Sequence, residues 1–344
     1  MTNTESKKRF IPIAALLAVG LVLPAVVRNQ FYMQSIIFVV LYMFWASSWN
    51  VLGGYIGLFA LGNGLYIGIG GYVVAVLFVQ FGVSPWFGMI IAGLIAGLLS
   101  IIIGYPVFKL KGMYYALASI ALMSVFALIF NNETSIFGIN TGGPNGLRLP
   151  MTGRVFDMQF PSKLGYYLVV LALLIIVLIV SDRIEHTKMG YYFRSIRANP
   201  DAAASLGVPV LRYKLTAHFI SAFFTAAGGA IYVVSSLYVS SSTVFGMDMS
   251  FAMVLFCVLG GANTLWGPVL GAAIMVPIQQ ALRIAAGARM AAMSSLIYGI
   301  ALCLVMLFMP DGILGAIRQL SSKRRTASAP VTAAEPHEGG DVDG

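Results

Sequence analysis

Long stretches without a charged side chain alternate with short charged segments along the whole sequence. Charge-free runs cover residues 10–27, 29–108, 112–132, 164–181, 215–247, 249–282 and 290–310. A helix needs about 20 apolar residues to cross a lipid bilayer, so each run is long enough for at least one spanning helix. The runs are continuously apolar and do not alternate between polar and apolar residues, which excludes a β-barrel.

Two of these runs are too long for a single helix, and each contains turn-forming residues. Run 29–108 has a cluster of glycines between positions 53 and 64 and a second break at 82–85. Run 249–282 contains glycine, asparagine and proline between positions 260 and 268, which predicts two short helical pieces around a polar break. We therefore predict an all-α, polytopic membrane protein with about ten membrane segments, some of them broken or short.

Composition agrees with this assignment and excludes several classes of protein. Of the 344 residues, 59% are hydrophobic and 10% are charged, and the mean hydropathy is +0.88. Soluble domains have about 45–50% apolar and about 25% charged residues, so a soluble enzyme, a nucleic-acid binder and a secreted disulfide scaffold are all excluded. The two cysteines, Cys257 and Cys303, lie in apolar runs without a histidine at metal-ligand spacing, and we interpret them as buried hydrophobic residues.

The distribution of positive charge predicts the orientation. With ten segments and a cytoplasmic N-terminus, 15 of the 21 Lys and Arg residues fall on the cytoplasmic side, and both termini are then cytoplasmic. Run 10–27 is longer than the apolar core of a typical signal peptide, and no clear cleavage site follows it. We expect it to be an uncleaved first helix.

The chain divides into a membrane domain and two terminal segments. Residues 1–9 form the predicted cytoplasmic N-terminus, and residues 10–310 form the membrane domain. Residues 319–344 have almost no large apolar side chains, which predicts a disordered cytoplasmic tail. Two hydrophilic connections are long, an external loop at 133–163 and a cytoplasmic loop at 182–214.

The external loop contains a turn that is suited to binding. Thr141, Gly142, Gly143 and Asn145 belong to this Gly-Pro-Asn turn, which would present backbone amides and polar side chains to something outside. A plain connecting loop is the alternative interpretation.

The cytoplasmic loop encodes a short, stiff helix. Asn199 is a suitable N-cap, Pro200 fits the first helical position, and Asp201 suits the positive end of the helix dipole. Alanines at 202–204 favour a helix, and Gly207 ends it. Such small side chains dock readily into a groove of another protein.

These segments resemble a known family of transport proteins. Asp201-Ala202-Ala203 followed by Gly207 resembles the EAA…G cytoplasmic loop of ABC-importer permeases, with Asp in place of the usual Glu. Four further stretches are similar to the LivM-type permease of branched-chain amino acid ABC transporters: NVLGGYIGL at 50–58 continuing into LGN at 61–63 and GIGGY at 68–72, LKGMYYA at 110–116, TGGPNG at 141–146, and VLGGANTLWGPVLGA at 258–272. The resemblance covers roughly residues 35 to 310, and it departs at Asn63, where the family often has His.

The resemblance implies an ABC-importer permease fold and a set of partners. These are a homologous second permease, two cytoplasmic ATPases and a periplasmic or extracellular solute-binding protein, all assembled at a bacterial inner membrane. The chain would form half of the pathway for branched-chain amino acids or a related small polar or amphipathic solute. Its own sequence has no phosphate-binding loop, so ATP hydrolysis is expected in the partners, and no cofactor, metal or nucleic acid is predicted.

The resemblance assigns ATPase coupling to the cytoplasmic loop. Arg194 and Arg197 precede the short helix, and their spacing of three residues allows one helix face to carry both. The predicted coupling residues are Arg194, Arg197, Asp201, Ala202, Ala203 and Gly207.

The glycine-rich breaks are the candidate translocation pathway. Discontinuous helices at corresponding places in two halves of a transporter indicate its binding site. The predicted pathway residues are Tyr55, Asn63, Tyr66, Gly260, Gly261 and Asn263. The alternative is close helix packing through small residues.

A secondary transporter coupled to an ion gradient is the alternative function. Such coupling usually needs carboxylates or histidines within the membrane. The candidates, His218 and Asp248, both lie near span ends, where helix packing and stabilisation of a helix start are the favoured roles. The substrate stays open among branched-chain amino acids, urea-like amides and aromatic acids.

Overall fold

A computed structural model of the chain describes residues 30–110, 112–136 and 138–286, together with positions 20 and 299. Within these residues the chain is mainly helical, which confirms the predicted all-α class. The helices are α1 Gln30–Asn50, α2 Gly64–Phe81, α3 Pro85–Val107, α4 Met113–Asn132, α5 Lys163–His186, α6 Lys188–Ala198, α7 Pro200–Ser205, α8 Val210–Ser236, α9 Ser241–Val244, α10 Met247–Gly261 and α11 Gly267–Ala286. A π-helical segment, Val51–Tyr55, follows α1 directly.

Seven helical segments of the described chain are long and apolar enough to cross a membrane. An eighth, shorter apolar stretch lies within α11 at Gly267–Leu282. These eight coincide with eight of the predicted membrane segments. The other two predicted segments, runs 10–27 and 290–310, lie outside the described residues apart from positions 20 and 299, so the total of ten stays a prediction. The predicted terminal segments 1–9 and 319–344 also lie outside the described residues.

Helix α8 lies at the centre of the bundle and packs against α2 and α3, while α1 packs against α5, α10 and α11. Small residues bring the central helices together. A side chain at Gly70 would collide with the Ala226 carbonyl, and one at Gly229 would collide with the Ile67 carbonyl. Because the backbones touch at these points, α2 and α8 form a closely packed pair at membrane depth.

One end of the bundle carries the predicted external loop. Its strands are β1 Ser135–Ile136, β2 Ile139–Asn140 and β3 Leu147–Arg148, and β4 Tyr238–Val239 follows α8. Strand β1 pairs antiparallel with β2, and β3 pairs antiparallel with β4, with Leu147 opposite Val239. Short 3₁₀ turns lie at Gly143–Asn145 and Val155–Asp157. The loop is therefore ordered, and the β3–β4 pair fastens it to the end of α8.

The opposite end carries the short helix that the sequence predicts. The Asn199 side-chain oxygen accepts hydrogen bonds from the backbone N–H groups of Asp201, at 3.0 Å, and Ala202, at 3.1 Å. Pro200 is the first residue of α7, and Gly207 has a φ of +83° just after its end. Capping at both ends thus fixes α7 in the connection between α6 and α8.

Helices α6 and α7 pack against the membrane helices through a second hydrophobic cluster. Phe193, Ile196 and Ala203 are buried there with Val51 and Leu52 of the π-helical region. Ala203, which we expected to contact a partner, is only 2% exposed and faces the rest of the chain. Because one side of this short helix rests on the rest of the protein, one of its alanines faces inward. The surface open to a partner therefore consists of the other side chains of α7 and of Leu206, which is 85% exposed.

Candidate functional site

The first break lies between α1 and α2, where residues 56–63 leave the helical conformation. Backbone groups freed at membrane depth must find partners inside the protein. The Trp49 indole N–H donates to the Ala60 carbonyl at 2.7 Å. The Ser119 hydroxyl, on α4, accepts the N–H groups of Leu61, at 3.1 Å, and Gly62, at 3.0 Å.

A second hydroxyl completes this segment from α10. Ser250 Oγ accepts the N–H of Gly64 at 3.0 Å and donates to the Leu61 carbonyl at 2.5 Å. Three side chains from three different helices thus replace the missing helical hydrogen bonds. The break is therefore an ordered part of the fold with a defined conformation.

A single asparagine joins the two breaks. Asn50, the last residue of α1, donates from Nδ2 to the Thr264 carbonyl at 3.0 Å, and its Oδ1 accepts the N–H of Asn263 at 3.0 Å. The Cys257 thiol donates to the same oxygen at 3.4 Å. Asn50 is not among the predicted pathway residues, although a polar asparagine inside charge-free run 29–108 indicates a residue with a buried hydrogen-bond partner.

A small cavity beside the first break contains Asn63 and Tyr66. Its volume of about 20 Å³ is enough for one water molecule. Tyr66 Oη lies 2.7 Å from His218 Nε2, and Asn63 Nδ2 lies 3.5 Å from Ser221 Oγ. The polar part of the wall is completed by Ser119 and Tyr115. His218, which we expected to be a packing residue near a span end, is therefore buried in the polar wall of this cavity.

A second cavity of about 40 Å³ contains Tyr55 and Asn263. It is also lined by Glu185 at the end of α5 and by Gly190 and Arg194 of α6, so it lies at the end of the bundle that carries α6 and α7. The Tyr55 hydroxyl is buried and has no hydrogen-bond partner within the part of the chain that the structure describes. Four of the six predicted pathway residues thus fall into two pairs, one at each cavity.

Gly260 and Gly261 belong to neither cavity. A side chain at Gly260 would collide with the Gly267 carbonyl, because α10 and α11 cross there with their backbones in contact. Gly261 has a φ of +115°, and its carbonyl accepts the Thr264 hydroxyl at 2.6 Å. At Gly260 the close-packing interpretation fits the structure better than a pathway role, and Gly261 shapes the turn.

The two arginines of α6 have different targets. Arg194 donates to backbone carbonyls of its own hairpin, Glu185 at 3.0 Å and Gly190 at 3.3 Å. Arg197 instead donates from Nη1 to the carbonyl of Gly54, in the π-helical segment, at 2.9 Å. We expected one face of the helix to carry both arginines toward a partner, but the two side chains bind different parts of this chain.

The external turn divides into structural and exposed residues. Thr141 is buried, and its hydroxyl donates to the Glu133 carbonyl at 2.7 Å. Gly142 and Gly143 have φ values of +77° and +52°, which favour glycine. Asn145 has an exposed side chain, while its carbonyl accepts the Tyr238 hydroxyl at 3.0 Å. Asn145 is therefore the polar side chain of this group that is open to a partner.

Two other residues singled out by the sequence also have clear places. Cys257 is fully buried, as expected, and Asp248 is exposed in the first turn of α10, as expected for a helix start. Cys303 lies outside the described residues. Among the described residues, no group of three or more His, Cys, Asp or Glu side chains is placed to hold a metal ion.

Comparison with known proteins identifies the family. The family described as "Branched-chain amino acid transport system / permease component" matches residues 31–306, which is most of the chain. The chain belongs to this family. It is thus a multi-pass permease subunit of an ABC importer, and the broken helices described above are part of a permease of this branched-chain amino acid transport family.

Named relatives agree with the assignment. The chain is 29% identical to the high-affinity branched-chain amino acid transport system permease protein LivM of Escherichia coli, over 81% of this chain and 69% of that protein. It is 27% identical to the LivM protein of Salmonella typhimurium, over 92% and 77%. A probable LivM protein of Methanocaldococcus jannaschii is 22% identical, over 73% and 78%. No solved structure matches the chain at a significant level of similarity.

The hydroxyl of Ser119 should be needed for the stability of the permease. In Ser119→Ala the N–H groups of Leu61 and Gly62 lose their acceptor, and each unsatisfied group costs about 1–3 kcal/mol. Ser124→Ala is the matched control on the same helix, because that hydroxyl donates only to the Ile120 carbonyl one turn away, at 3.0 Å. Thermal unfolding of the purified protein in detergent should show a lower midpoint for Ser119→Ala only. Equal midpoints for the two variants would contradict this account of the break.

Proposed function

We propose that this permease forms one half of the translocation pathway for branched-chain amino acids or a closely related small amphipathic solute. Its membrane is a bacterial inner membrane, with both termini in the cytoplasm. The observation that carries the proposal is the pair of broken helices joined at Asn50, in a chain whose family transports such amino acids. Breaks of this kind expose backbone and polar side chains where a solute must pass.

The cavity at Asn63 and Tyr66 is the proposed outer part of this pathway. Its polar groups, including Ser119 and His218, are the types that bind the polar end of an amino acid, and the rest of its wall is apolar. The cavity at Tyr55 and Asn263 is the proposed cytoplasmic exit. In the arrangement described here each cavity is too small for an amino acid, so transport requires the two breaks to move apart.

The pathway is completed by a second, homologous permease. Helix α4 is the least buried of the seven candidate spans, although its inner face supplies Tyr115 and Ser119 to the first cavity. Its exposed apolar side chains include Leu117, Val125 and Leu128. A partner that packs on this helix would lie directly beside the cavity.

Energy comes from two separate cytoplasmic ATPases that bind at α7. Asp201 and Ala202 are exposed on the surface of this helix, and Leu206 follows its last residue. A large apolar side chain that is 85% exposed beside a rigid, capped helix is well suited to a groove on a partner. At the opposite end, a solute-binding protein docks on the ordered external loop, where Asn145 is exposed together with the apolar Met151 and Phe156.

Uptake should depend on ATP and on the partner subunits. Vesicles that contain this chain, its second permease and the ATPases should accumulate radioactive leucine when ATP and the binding protein are supplied. The chain alone should hydrolyse no ATP, because its sequence has no phosphate-binding loop. Uptake that persists without the ATPases and stops when the proton gradient is collapsed would instead identify an ion-coupled secondary transporter.

Neighbouring alanines of α7 should have opposite roles. Ala202→Glu places a charge on the exposed surface, so the permease should accumulate normally but lose the ATPases on co-purification, and Leu206→Glu should do the same. Ala203→Glu should reduce the amount of folded permease, because a buried unpaired charge costs several kcal/mol. Retained ATPase binding in both Ala202→Glu and Leu206→Glu would show that α7 is only a connector.

Asn63 should affect the handling of the solute. Asn63→Leu removes the amide and keeps a similar volume, so uptake at low leucine concentration should fall several-fold, the effect of about one hydrogen bond. ATPase co-purification should not change, because Asn63 is buried and is not part of the surface that α7 offers to a partner. Asn131→Leu is the matched control, since that asparagine is exposed near the end of α4. Uptake kinetics of Asn63→Leu identical to those of the unmodified transporter would remove Asn63 from the pathway.

A further inference from the structure

Arg197 connects the cytoplasmic segment to the first membrane break. Its guanidinium donates to the Gly54 carbonyl at 2.9 Å, although the two residues are 143 positions apart in the sequence. Gly54 is buried within the π-helical segment, whereas Arg197 is an exposed residue. One side chain therefore contacts both the surface where a partner would bind and the irregular backbone inside the membrane domain.

A second contact fixes the stem of this arginine. Gly57 has a φ of +80° and lies directly against the Arg197 methylene groups, so that an added side chain would come within 2.9 Å of Cγ. The contact at Gly57 and the hydrogen bond to Gly54 lie on either side of Tyr55. Arg197 thus holds the end of the π-helical segment at two points.

The electrostatics of the helix end favour a cation at this position. The last turns of α1 and of the π-helical segment contain no basic residue of their own. Carbonyl groups at a helix C-terminus carry a partial negative charge, and a cation there is stabilising. Arg197 supplies that cation from a different helix.

Both ends of this connection are stiff. Asn199, which caps α7, lies two residues after Arg197, and the intervening backbone continues α6 through Ala198. On the membrane side, Gly54 lies against the backbone N–H of Asn263, which is the group that Asn50 binds. A displacement of α7 therefore reaches the junction of the two breaks through very few flexible bonds.

We propose that Arg197 is the positioning residue that transmits movement of the ATPase-binding helix α7 to the paired breaks. This inference rests on the proposed function and deepens it. Arg197 acts on the Gly54 carbonyl and needs no contact with the ATPase, whereas Leu206 and Ala202 supply docking. Loss of Arg197 should accordingly separate ATP hydrolysis from transport without separating the subunits.

The test uses the complete transporter, reconstituted with its second permease, ATPases and binding protein. Arg197→Gln should assemble and hydrolyse ATP, but its leucine uptake per ATP hydrolysed should fall about fivefold or more, within the range of couplings between two sites. Arg197→Lys keeps the charge and a donor and should retain part of the uptake. Arg212→Gln is the matched control, because Arg212 is an exposed arginine near the start of α8, and it should behave as the unmodified complex.

Two results for Arg197→Gln would overturn the inference. Unchanged uptake per ATP in Arg197→Gln would show that the contact with Gly54 transmits nothing, and loss of the ATPases on purification would make Arg197 a docking residue. If Arg197→Gln fails to accumulate, Gly57→Ala disturbs the same contact from the membrane side and should give the same loss of uptake per ATP; normal uptake per ATP in Gly57→Ala would then overturn the inference. If the unmodified complex shows no ATP-driven uptake at all, the proposed function fails, which is a distinguishable result.

Discussion

The side-chain amide of Asn50 is the interaction on which the rest of the site depends. It donates a hydrogen bond to the Thr264 carbonyl and accepts one from the Asn263 N–H, so it pairs with this backbone as a neighbouring β-strand would. Within a bilayer, unpaired backbone groups have no water to turn to, and each break needs a partner of this kind. Because Asn50 belongs to α1 and pairs with the turn between α10 and α11, it also sets the distance between the two halves of the site. These two hydrogen bonds of Asn50 help to fix the positions of Gly54, of Asn263 and of the cavity between Tyr55 and Asn263.

Sparse polar side chains perform the same task elsewhere in an otherwise apolar bundle. Ser119 and Ser250 each satisfy two backbone groups of the first break, and they come from helices on different sides of it. This arrangement explains how a chain with 10% charged residues can hold an irregular segment in a defined shape. Hydroxyl groups, one amide and the Trp49 indole supply the hydrogen bonds. Glycine contacts such as Gly70 with Ala226 allow the helices to approach each other closely.

Much of the architecture was predictable because it depends on local signals. Charge-free runs indicate spans, glycine clusters indicate breaks, and Asn199 with Gly207 indicates the bounds of α7; each of these is a property of a few consecutive residues. The pairing of residues across the fold was not predictable in the same way. Asn50 contacts a carbonyl 214 positions away, and Tyr66 contacts His218 across 152 positions. The inward orientation of Ala203 and the separate targets of Arg194 and Arg197 likewise depend on how α6 and α7 rest on the membrane helices, which no spacing in the sequence specifies. For the same reason the sequence predicts the six pathway residues as one group, whereas the structure places two at each cavity and the two glycines at the contact between α10 and α11.

The central helix α8 has a mechanical consequence. Its 27 residues form a rod about 40 Å long, with the β3–β4 pair attached at one end and the α6–α7 hairpin at the other. Its backbone touches that of α2 where Gly229 meets Ile67, in the half of the helix nearer the β3–β4 pair, and a rigid helix held there turns as a lever about that contact. A tilt at the end that carries α6 and α7 swings the end that carries β4 in the opposite direction. In the transport cycle proposed above, the two faces of the permease are thus coupled through a single rigid helix.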